Sequence, residues 1–374
     1  MKVALLLPSL NQGGVETSVL DLASYLQSQK NVTPIVISEG GKRLSFLKKE
    51  KIKHIKFPAK TKNPIKMFFN VFRLTKILKK EKIDILHAHS RAPAWVGWFA
   101  SKKTGVPFLT TFHGIYGHKS KLKKIYNSAM LKGEKVIAVS KFTAEHIKKN
   151  YPISKKKIIT IPRWIDLEKF SKTKTNRKII KSIMEKYNLQ KHIPIITMVG
   201  RVRRLKGQDY FIKSLVKIRT DFRAVIIGDG DGGDYEKNLH KLVKENKLEK
   251  KVIFVGDSND IPEFLRISKM LVSATSTKPE TFGLTILEAM AMGVLVVATA
   301  HGGSLELVNK KRGGLVNPCD ENDLANGIKK LLKLPEKKYK IMQKECIGFA
   351  KNFSRDKMCK KVLATYLSLR EKSN

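Results

Sequence analysis

Two glutamates stand eight residues apart in the stretch PETFGLTILEAMAMG, which runs from Pro279 to Gly293. The apolar residues after Gly283 predict a helix, with Glu280 just before it and Glu288 about two turns inside it. Glu280 can accept hydrogen bonds from sugar hydroxyls. Glu288 needs a partner such as a ribose diol, because an unpaired buried charge is costly. The alternative for Glu288 is a solvent-facing side chain on a core helix.

Groups suited to a diphosphate lie at two helix starts. The exposed amides near Phe282, Gly283 and Leu284 and the helix dipole favour an anion, by about 0.3–1 kcal/mol per charge for the dipole. In VGRVRRLKGQDYFIKSL (199–215), Arg201 and Lys206 flank a short loop between a predicted strand and a helix. A guanidinium and an ammonium there suit a diphosphate. The alternative is a solvated basic loop.

The first half of the chain has its own candidates. LLLPSLNQGGVETSVLDLA (5–23) predicts a strand, a loop with Gly13 and Gly14, and an amphipathic helix. Paired glycines let a backbone approach a ligand closely. The pattern is not GxGxxG, so it argues against a nicotinamide enzyme, and a plain tight turn remains the alternative. TTFHG (110–114) places His113 at the end of a strand, facing an expected cleft between domains.

Two places raise the question of a metal ion. His87 and His89 end another predicted strand, but no carboxylate or cysteine accompanies them at ligand spacing. Asp229-Gly230-Asp231, within IIGDGDGGDY (226–235), could hold magnesium with a nucleotide sugar. The alternative is a glycine-rich turn whose aspartates cap the next helix. We expect no metal and no cofactor.

The elements that must position these residues form two series. Apolar runs at 2–8, 33–38, 52–57, 83–89, 107–113, 136–140 and 158–162 are followed by runs at 193–200, 224–228, 251–256, 270–274 and 294–300. Continuous apolar strands alternating with helices indicate parallel sheets buried on both faces. The sequence therefore predicts two doubly wound α/β domains, at 1–170 and 171–354, divided before the polar stretch SKTKTNRK. A final helix, at about 355–374, can pack back on the first domain.

Composition limits the partners. The 374 residues include 75 Lys+Arg and 32 Asp+Glu, a formal net charge of +43. This charge predicts attraction to nucleic acid, an anionic membrane or phosphorylated substrates, unless it reflects a lysine-rich genome. The three cysteines lack metal-like spacing and indicate free thiols in a reducing compartment. No signal peptide is recognised, and no apolar run reaches the roughly 20 residues of a membrane span, so we expect a cytoplasmic protein.

One basic segment suggests contact with a membrane. Residues 42–82 contain 15 Lys/Arg against Glu50 and Glu81. Within it, PIKMFFNVFRLTKILKK (64–80) predicts an amphipathic helix. Its apolar side has Met67, Phe68, Val71, Phe72, Leu74 and Leu78, and its polar side has Lys66, Asn70, Arg73 and Lys80. This helix suits an anionic leaflet, and a sheet-covering helix with a basic outer face is the alternative. GHKSKLKKIY (117–126) is a second basic stretch.

Taken in order, these motifs resemble the retaining glycosyltransferases of the GT-B fold, the "glycosyl transferases group 1" family. The set is GGVE, HAHS, TTFHG, VSKFT, GRVRRLKG, IIGDGDG, PETFGLTILEAMAMG and GGSLELV (302–308). The resemblance implies that Arg201 and Lys206 hold the donor diphosphate and Glu288 the ribose. It assigns the donor sugar and phosphate to Glu280 with the amides of Phe282, Gly283 and Leu284, and the base to the loop around 255–261. Gly13 and Gly14 would approach the donor, and His113 would lie beside the reacting carbon.

The resemblance implies metal-independent transfer of a hexose from a GDP- or UDP-sugar, with retention of configuration. Arg163-Trp164, in IPRWID, departs from the Asn-Gly frequent in the family and puts the usual interdomain turn in doubt. The arginine is similar to that of bacterial lipopolysaccharide-core enzymes, including mannosyltransferases. We therefore expect a lipid-linked or lipopolysaccharide acceptor and a peripheral location at the inner face of the cytoplasmic membrane. The alternatives are a GT-B sugar epimerase, a nucleic-acid-binding protein supported by charge alone, and a nicotinamide oxidoreductase.

Overall fold

The computed structural model describes residues 1–11, 13–117 and 120–371. It forms two compact units, Met1–Trp164 with Arg355–Asn374, and Ile165–Ser354. The chain thus passes between units after Trp164, whereas the sequence placed the boundary after Phe170. Ile165 already belongs to the second unit, where its amide donates to the Phe353 carbonyl at 3.0 Å.

The first unit is built on a seven-stranded parallel sheet with the strand order β3-β2-β1-β4-β5-β6-β7. The strands are β1 Lys2–Leu6, β2 Thr33–Ser38, β3 Lys53–Lys56, β4 Ile85–Ala88, β5 Phe108–Phe112, β6 Lys135–Ala138 and β7 Ile158–Thr160. The helices are α1 Gly14–Gln27, α2 Leu44–Lys49, α3 Pro64–Glu81, α4 Arg91–Thr104, α5 Lys121–Ser128 and α6 Lys141–Asn150, with 3₁₀ turns at Ala129–Leu131 and Lys155–Lys157. Helices cover both faces, so the central strands are continuously apolar.

The second unit has a six-stranded parallel sheet with the order β10-β9-β8-β11-β12-β13. The strands are β8 Ile195–Val199, β9 Arg223–Ile227, β10 Val252–Gly256, β11 Met270–Ser273, β12 Leu295–Thr299 and β13 Gly313–Val316. The helices are α7 Arg177–Lys186, α8 Gln208–Val216, α9 Asp234–Glu245, α10 Ile261–Ile267, α11 Leu284–Ala291, α12 Ser304–Leu307, α13 Glu321–Leu332 and α14 Glu336–Ala350, with 3₁₀ turns at Arg204–Lys206 and Lys351–Phe353. The sequence predicted five of these strands and missed β13.

The last helix, α15 (Arg355–Arg370), belongs to the first unit. Its buried Met358, Val362 and Tyr366 share one apolar cluster with α1 and the sheet. In both units the strand order reverses once, between β1 and β4 and between β8 and β11. Ligands of doubly wound sheets bind beyond the carboxyl ends of the strands at this reversal. The prediction of two doubly wound α/β domains is confirmed.

Helix α3 corrects the predicted division of its faces. Val71, Leu74 and Leu78 are buried against the sheet, as in the sheet-covering alternative. Asn70, predicted on the polar side, is also buried, and its Nδ2 donates to the Pro58 carbonyl at 3.0 Å. Phe68 and Phe72 do not share this burial and are 59% and 43% exposed. The helix therefore covers the sheet with one face and presents a second apolar face to solvent.

Candidate functional site

The loop after β8 is held in place by the loop after β11. The Leu205 carbonyl accepts from the Ser276 amide at 3.0 Å, and the Arg204 carbonyl accepts from the Ser276 hydroxyl at 2.9 Å. Gly207 has φ of 76°, and a Cβ there would lie 1.9 Å from the Ala274 carbonyl oxygen. Only glycine fits this position without displacing backbone. Both loops lie at the strand reversal, so the basic residues are fixed where a ligand is expected.

Lys206 and Glu280 are brought together by these loops. The ammonium of Lys206 forms an ion pair with Oε1 of Glu280, and the two side chains are 26% and 18% exposed. Arg201 is exposed in the same loop, and its carbonyl accepts from Nε2 of Gln208 at 3.0 Å. The residue predicted to bind the diphosphate, Lys206, and the residue predicted to bind the sugar, Glu280, are therefore direct neighbours. Their spacing along the chain could not show this contact.

The start of α11 is shaped by glycines. Gly283 has φ of 100° and caps the helix, so the chain turns sharply from buried Phe282 into Leu284. The preceding loop is braced from β12, because the Gly303 amide donates to the Glu280 carbonyl at 2.8 Å. A Cβ on Gly302 would lie 2.3 Å from that same oxygen. The amides at the start of α11 are thus positioned by close backbone contacts.

Glu288 lies inside α11, between the buried residues Leu287 and Ala289, and is itself half-buried. Its side chain is therefore not fully exposed to solvent, as the alternative of a solvent-facing glutamate on a core helix required. The loop expected to hold the base, around 255–261, joins β10 to α10 and borders a pocket of about 470 Å³.

The Asp229-Gly230-Asp231 turn follows β9. Asp231 forms an ion pair with Arg203, and the hydrogen bond from that guanidinium lowers the pKa of the carboxyl. Oδ1 of Asp231 also accepts from the Gly233 amide at 3.2 Å, directly before α9. Asp231 is thus engaged within the glycine-rich turn of the alternative, but the aspartates do not cap α9, which begins at the N-cap Gly233 without a side-chain cap. Over residues 1–11, 13–117 and 120–371, no group of three or more His, Cys, Asp or Glu side chains is placed to hold a metal ion.

Three histidines cluster at the carboxyl edge of the first sheet. Nδ1 of His89 lies 3.0 Å from Nε2 of His113, and Nε2 of His87 lies 2.7 Å from the Thr111 hydroxyl. Nδ1 of His87 lies 2.7 Å from the Tyr366 hydroxyl of α15. Burial lowers the pKa of His89 to about 3 and holds the pKa of His87 and of His113 well below the usual value. All three imidazoles are therefore neutral at neutral pH, which suits hydrogen bonding to an uncharged hydroxyl.

A small cavity of about 20 Å³ adjoins these rings, which is room for about one water molecule. The buried Nε2 of His89 has no hydrogen-bond partner among the described residues. The sequence noted His89 only as a strand end and did not predict its contact with His113. The signal available in the sequence was that His89 follows His87 by two residues at the end of β4, a spacing that places both side chains on the same side of the chain.

Gly13 and Gly14 lie at the start of α1, after β1. The Thr17 amide donates to the Gly13 carbonyl at 3.1 Å. The guanidinium of Arg163 donates to the Gly14 carbonyl, and at 3.0 Å to the Ser18 hydroxyl. The unusual Arg163 thus ties the end of the first unit's chain to the glycine turn. Trp164 is anchored as well, since its indole donates to Asp21 at 3.1 Å.

His301 is a residue that the sequence did not single out. It lies in the loop after β12, with Nε2 2.9 Å from the Thr275 carbonyl. Burial lowers its pKa, while the Thr275 carbonyl and the Glu280 carboxylate act in the opposite direction. His301 therefore lies within electrostatic reach of Glu280. The dipeptide HG before GSLELV was the only sequence signal for it.

The chain matches two family models. The model "Glycosyltransferase Family 4" matches residues 12–169, and "Glycosyl transferases group 1" matches residues 179–352. The crystal structure of a glycosyltransferase from Rickettsia africae is similar to this chain, with a TM-score of 0.91. The two sequences are 35% identical, and the match covers 98% of each chain.

Two curated relatives are similar as well. The UDP-Gal:alpha-D-GlcNAc-diphosphoundecaprenol alpha-1,3-galactosyltransferase of Escherichia coli is 28% identical over 359 residues, which covers 91% of this chain and 89% of the relative. The lipopolysaccharide core biosynthesis mannosyltransferase LpsB of Rhizobium meliloti is 33% identical over 180 residues, 46% of this chain and 50% of the relative. Together with the two doubly wound units, these matches show that the chain belongs to the glycosyl transferases group 1 family of GT-B-fold glycosyltransferases.

Proposed function

We propose that this glycosyltransferase moves a hexose from a UDP- or GDP-sugar to a lipid-linked or lipopolysaccharide-core acceptor, with retention of configuration and without an essential metal ion. The observation that carries this proposal is the pairing of Lys206 with Glu280 at the strand reversal of the second unit. A cation for the diphosphate and a carboxylate for sugar hydroxyls stand side by side there.

The donor is assigned to the second unit residue by residue. Arg201 and Lys206 bind the diphosphate, and Glu288 binds the ribose diol. The amides of Phe282, Gly283 and Leu284, at the start of α11, face the phosphate, while Glu280 holds the sugar. A guanidinium, an ammonium and helix amides would together stabilise the negative charge that develops on the leaving diphosphate. This cationic set supports a mechanism in which no metal ion is needed to neutralise that charge.

The first unit contributes His113, Gly13 and Gly14. The neutral imidazole of His113, held by His89, suits a hydrogen bond to a sugar hydroxyl beside the reacting carbon. Glycine backbone permits a close approach by the donor, and the Arg163 and Glu16 side chains that lie beside Gly14 and Gly13 would have to move aside for it.

The lipid-linked acceptor is supported by the relatives and by charge. The relative from Escherichia coli acts, by its name, on a diphosphoundecaprenol-linked sugar, and LpsB acts in lipopolysaccharide core biosynthesis. In this chain the basic segment 42–82 lies in the first unit and includes α3, whose outer apolar face is exposed. None of the described helices is long and apolar enough to cross a membrane. We therefore propose peripheral binding to the anionic inner face of the cytoplasmic membrane.

The donor assignment is tested by thermal shift with UDP, GDP and their hexose conjugates in EDTA. A ligand at about 100 times its dissociation constant adds about 2.7 kcal/mol of stability. One nucleotide family should raise the melting temperature of the protein, and Glu288→Ala or Arg201→Ala should abolish that rise. A response that needs magnesium contradicts the metal-free proposal. Consumption of the nucleotide sugar without any acceptor product favours the epimerase alternative.

A further inference from the structure

An apolar groove of about 670 Å³ opens on the first unit between α3, α4 and α5. Aromatic and aliphatic side chains form most of its wall: Phe68, Phe72, Trp95, Phe99, Leu122 and Ile125. Seven of the thirteen large hydrophobic side chains that are exposed within the described residues lie on these three helices. An apolar surface concentrated in this way marks a binding site rather than ordinary scatter.

The groove also carries positive charge. Lys62 and Lys103 line it among the apolar residues, and Nζ of Lys103 lies 5.1 Å from the centre of the Phe72 ring. The segments 51–80 and 85–133, which cover α4, α5 and all of α3 but its last residue, contain 10 and 8 Lys/Arg and no Asp or Glu. The surface therefore favours a ligand that is a hydrocarbon at one end and an anion at the other.

A continuous set of contacts joins the groove to the histidine cluster. Tyr126 lines the groove, and the Arg91 guanidinium carbon lies 5.3 Å from the centre of its ring. The same guanidinium lies 4.5 Å from the ring centre of Tyr116. Tyr116 in turn packs on Phe112, with ring centres 5.0 Å apart, directly before His113. The groove and the proposed reaction edge thus belong to one packed region of the first unit.

We propose that this groove binds the hydrocarbon chain of the phosphate-bearing lipid to which the acceptor sugar is attached. The proposal rests on the proposed function, because it requires a lipid-linked acceptor. A peptide fits the groove less well, since buried backbone amides and carbonyls need hydrogen-bond partners. The one indole donor in the wall, Nε1 of Trp95, already donates to the Tyr126 carbonyl at 3.0 Å. A hydrocarbon chain makes no such demand, and the lysines supply a counter-charge for its phosphate.

The test uses ω-bromoundecyl phosphate, because bromine quenches tryptophan fluorescence on contact and Trp95 lies in the groove wall. We expect saturable quenching that Trp95→Phe reduces. The double variant Leu122→Glu with Ile125→Glu should raise the dissociation constant at least about tenfold, because it replaces exposed apolar wall with negative charge. Ile341→Glu, at an exposed isoleucine of the second unit, should leave the constant unchanged. The neutral ω-bromoundecyl glucoside should bind more weakly than the phosphate.

Absence of saturable quenching, or equal quenching of the wild type and the double variant, overturns the proposal. A second outcome would also overturn it: brominated lipids in anionic vesicles quench the fluorescence, and added acceptor lipid does not relieve that quenching. The groove would then hold bulk membrane lipid. Transfer assays separate this proposal from the proposed function. The double variant should raise KM for the lipid-linked acceptor and not for its delipidated headgroup. If the wild type and the double variant transfer sugar to the lipid-linked acceptor equally well, only the proposed lipid-binding role of the groove is contradicted. If the groove binds the lipid but no acceptor receives sugar, only the proposed function is contradicted.

Discussion

Lys206 and Glu280 form an ion pair that links the loop after β8 to the loop before α11. The two residues are 74 positions apart in the chain. Both side chains are largely shielded from solvent, so salt screens this pair less than it would screen an exposed pair. In our proposal a donor diphosphate shares Lys206 with Glu280, so the carboxylate keeps the ammonium pointed at the phosphate position.

Lys206→Met should weaken donor binding, because it removes the ammonium while keeping most of the length of the side chain. Loss of a charge-assisted contact to the diphosphate predicts a dissociation constant about tenfold to a hundredfold higher. Isothermal titration with the nucleotide sugar identified by thermal shift measures this change. Arg203→Met is the matched control, because Arg203 lies in the same loop but pairs with the exposed Asp231. Equal losses in both variants would show that general positive charge, and not the position of Lys206, determines affinity.

The sequence predicted the elements of the sheets well where burial is simple. The run 33–38 coincides with β2, because a strand buried on both faces is mostly apolar, as Ile35, Val36 and Ile37 are here. Strand β13 was missed because it begins Gly313-Gly314, and glycines predict a turn. The structure gives the reason for the first glycine, since a Cβ at Gly313 would lie 1.9 Å from the Val296 carbonyl oxygen. That requirement comes from a neighbouring strand and leaves no local pattern.

The sequence proposed members for the donor site, and the contacts among them are visible only in the structure. The assignment of Glu280 and Glu288 to a sugar-nucleotide site came from the resemblance of the ordered motifs to the family, and it stays a prediction. The pairing of Lys206 with Glu280, the hydrogen bond between His89 and His113, and the position of His301 all arise between distant segments. The sheet-facing and the solvent-facing apolar sides of α3 were also predicted as a single face, because helical periodicity shows which residues share a side and not which of them meet the sheet.

Gly207→Ala should destabilise the second unit and disorganise the donor loop. The position has a left-handed conformation, which costs about 1–2 kcal/mol for a residue with a Cβ, and the added methyl would collide with the Ala274 carbonyl. Gly232→Ala is the control, because Gly232 has φ of 65° but a Cβ there would meet no atom within 4 Å. We expect a clearly lower melting temperature for Gly207→Ala than for Gly232→Ala. Similar melting temperatures would mean that the β8 and β11 loops separate at little cost.

Binding to anionic vesicles should depend on the lysines beside the groove. Each lysine near an anionic surface contributes about 1 kcal/mol, so the triple variant Lys62→Glu, Lys66→Glu, Lys103→Glu should bind at least about a hundredfold more weakly. Co-sedimentation with vesicles of phosphatidylglycerol and phosphatidylcholine measures this partitioning. The control reverses Lys237, Lys241 and Lys244, exposed residues of α9 in the second unit, and changes the net charge equally. Matching losses in the two triple variants would assign vesicle binding to net charge and not to this surface.

The histidine cluster predicts that the first unit loses stability as the pH falls below neutrality. Its three imidazoles have a lowered pKa in the folded protein, so below about pH 6.5 the unfolded chain binds protons that the folded chain does not. Each buried histidine then removes about 1.4 kcal/mol of unfolding free energy per pH unit. This contribution to stability is fully present above pH 6.5 and declines as the pH falls toward the pKa of each histidine in the folded protein. For His89 that pKa is about 3.

Urea unfolding at pH 7.5 and 5.5 measures this dependence for the first unit alone, because Trp95, Trp98 and Trp164 all lie in it and report through their fluorescence. His89→Leu should be less stable than the wild type at pH 7.5, since His113 loses its partner. As the pH is lowered, its unfolding free energy should nevertheless fall less steeply than that of the wild type, because one buried histidine fewer contributes to the slope. His192→Leu, at an exposed histidine of the second unit, should follow the wild type. A slope in His89→Leu equal to that of the wild type would mean that His89 already takes up a proton in the folded protein, which the burial of its ring opposes.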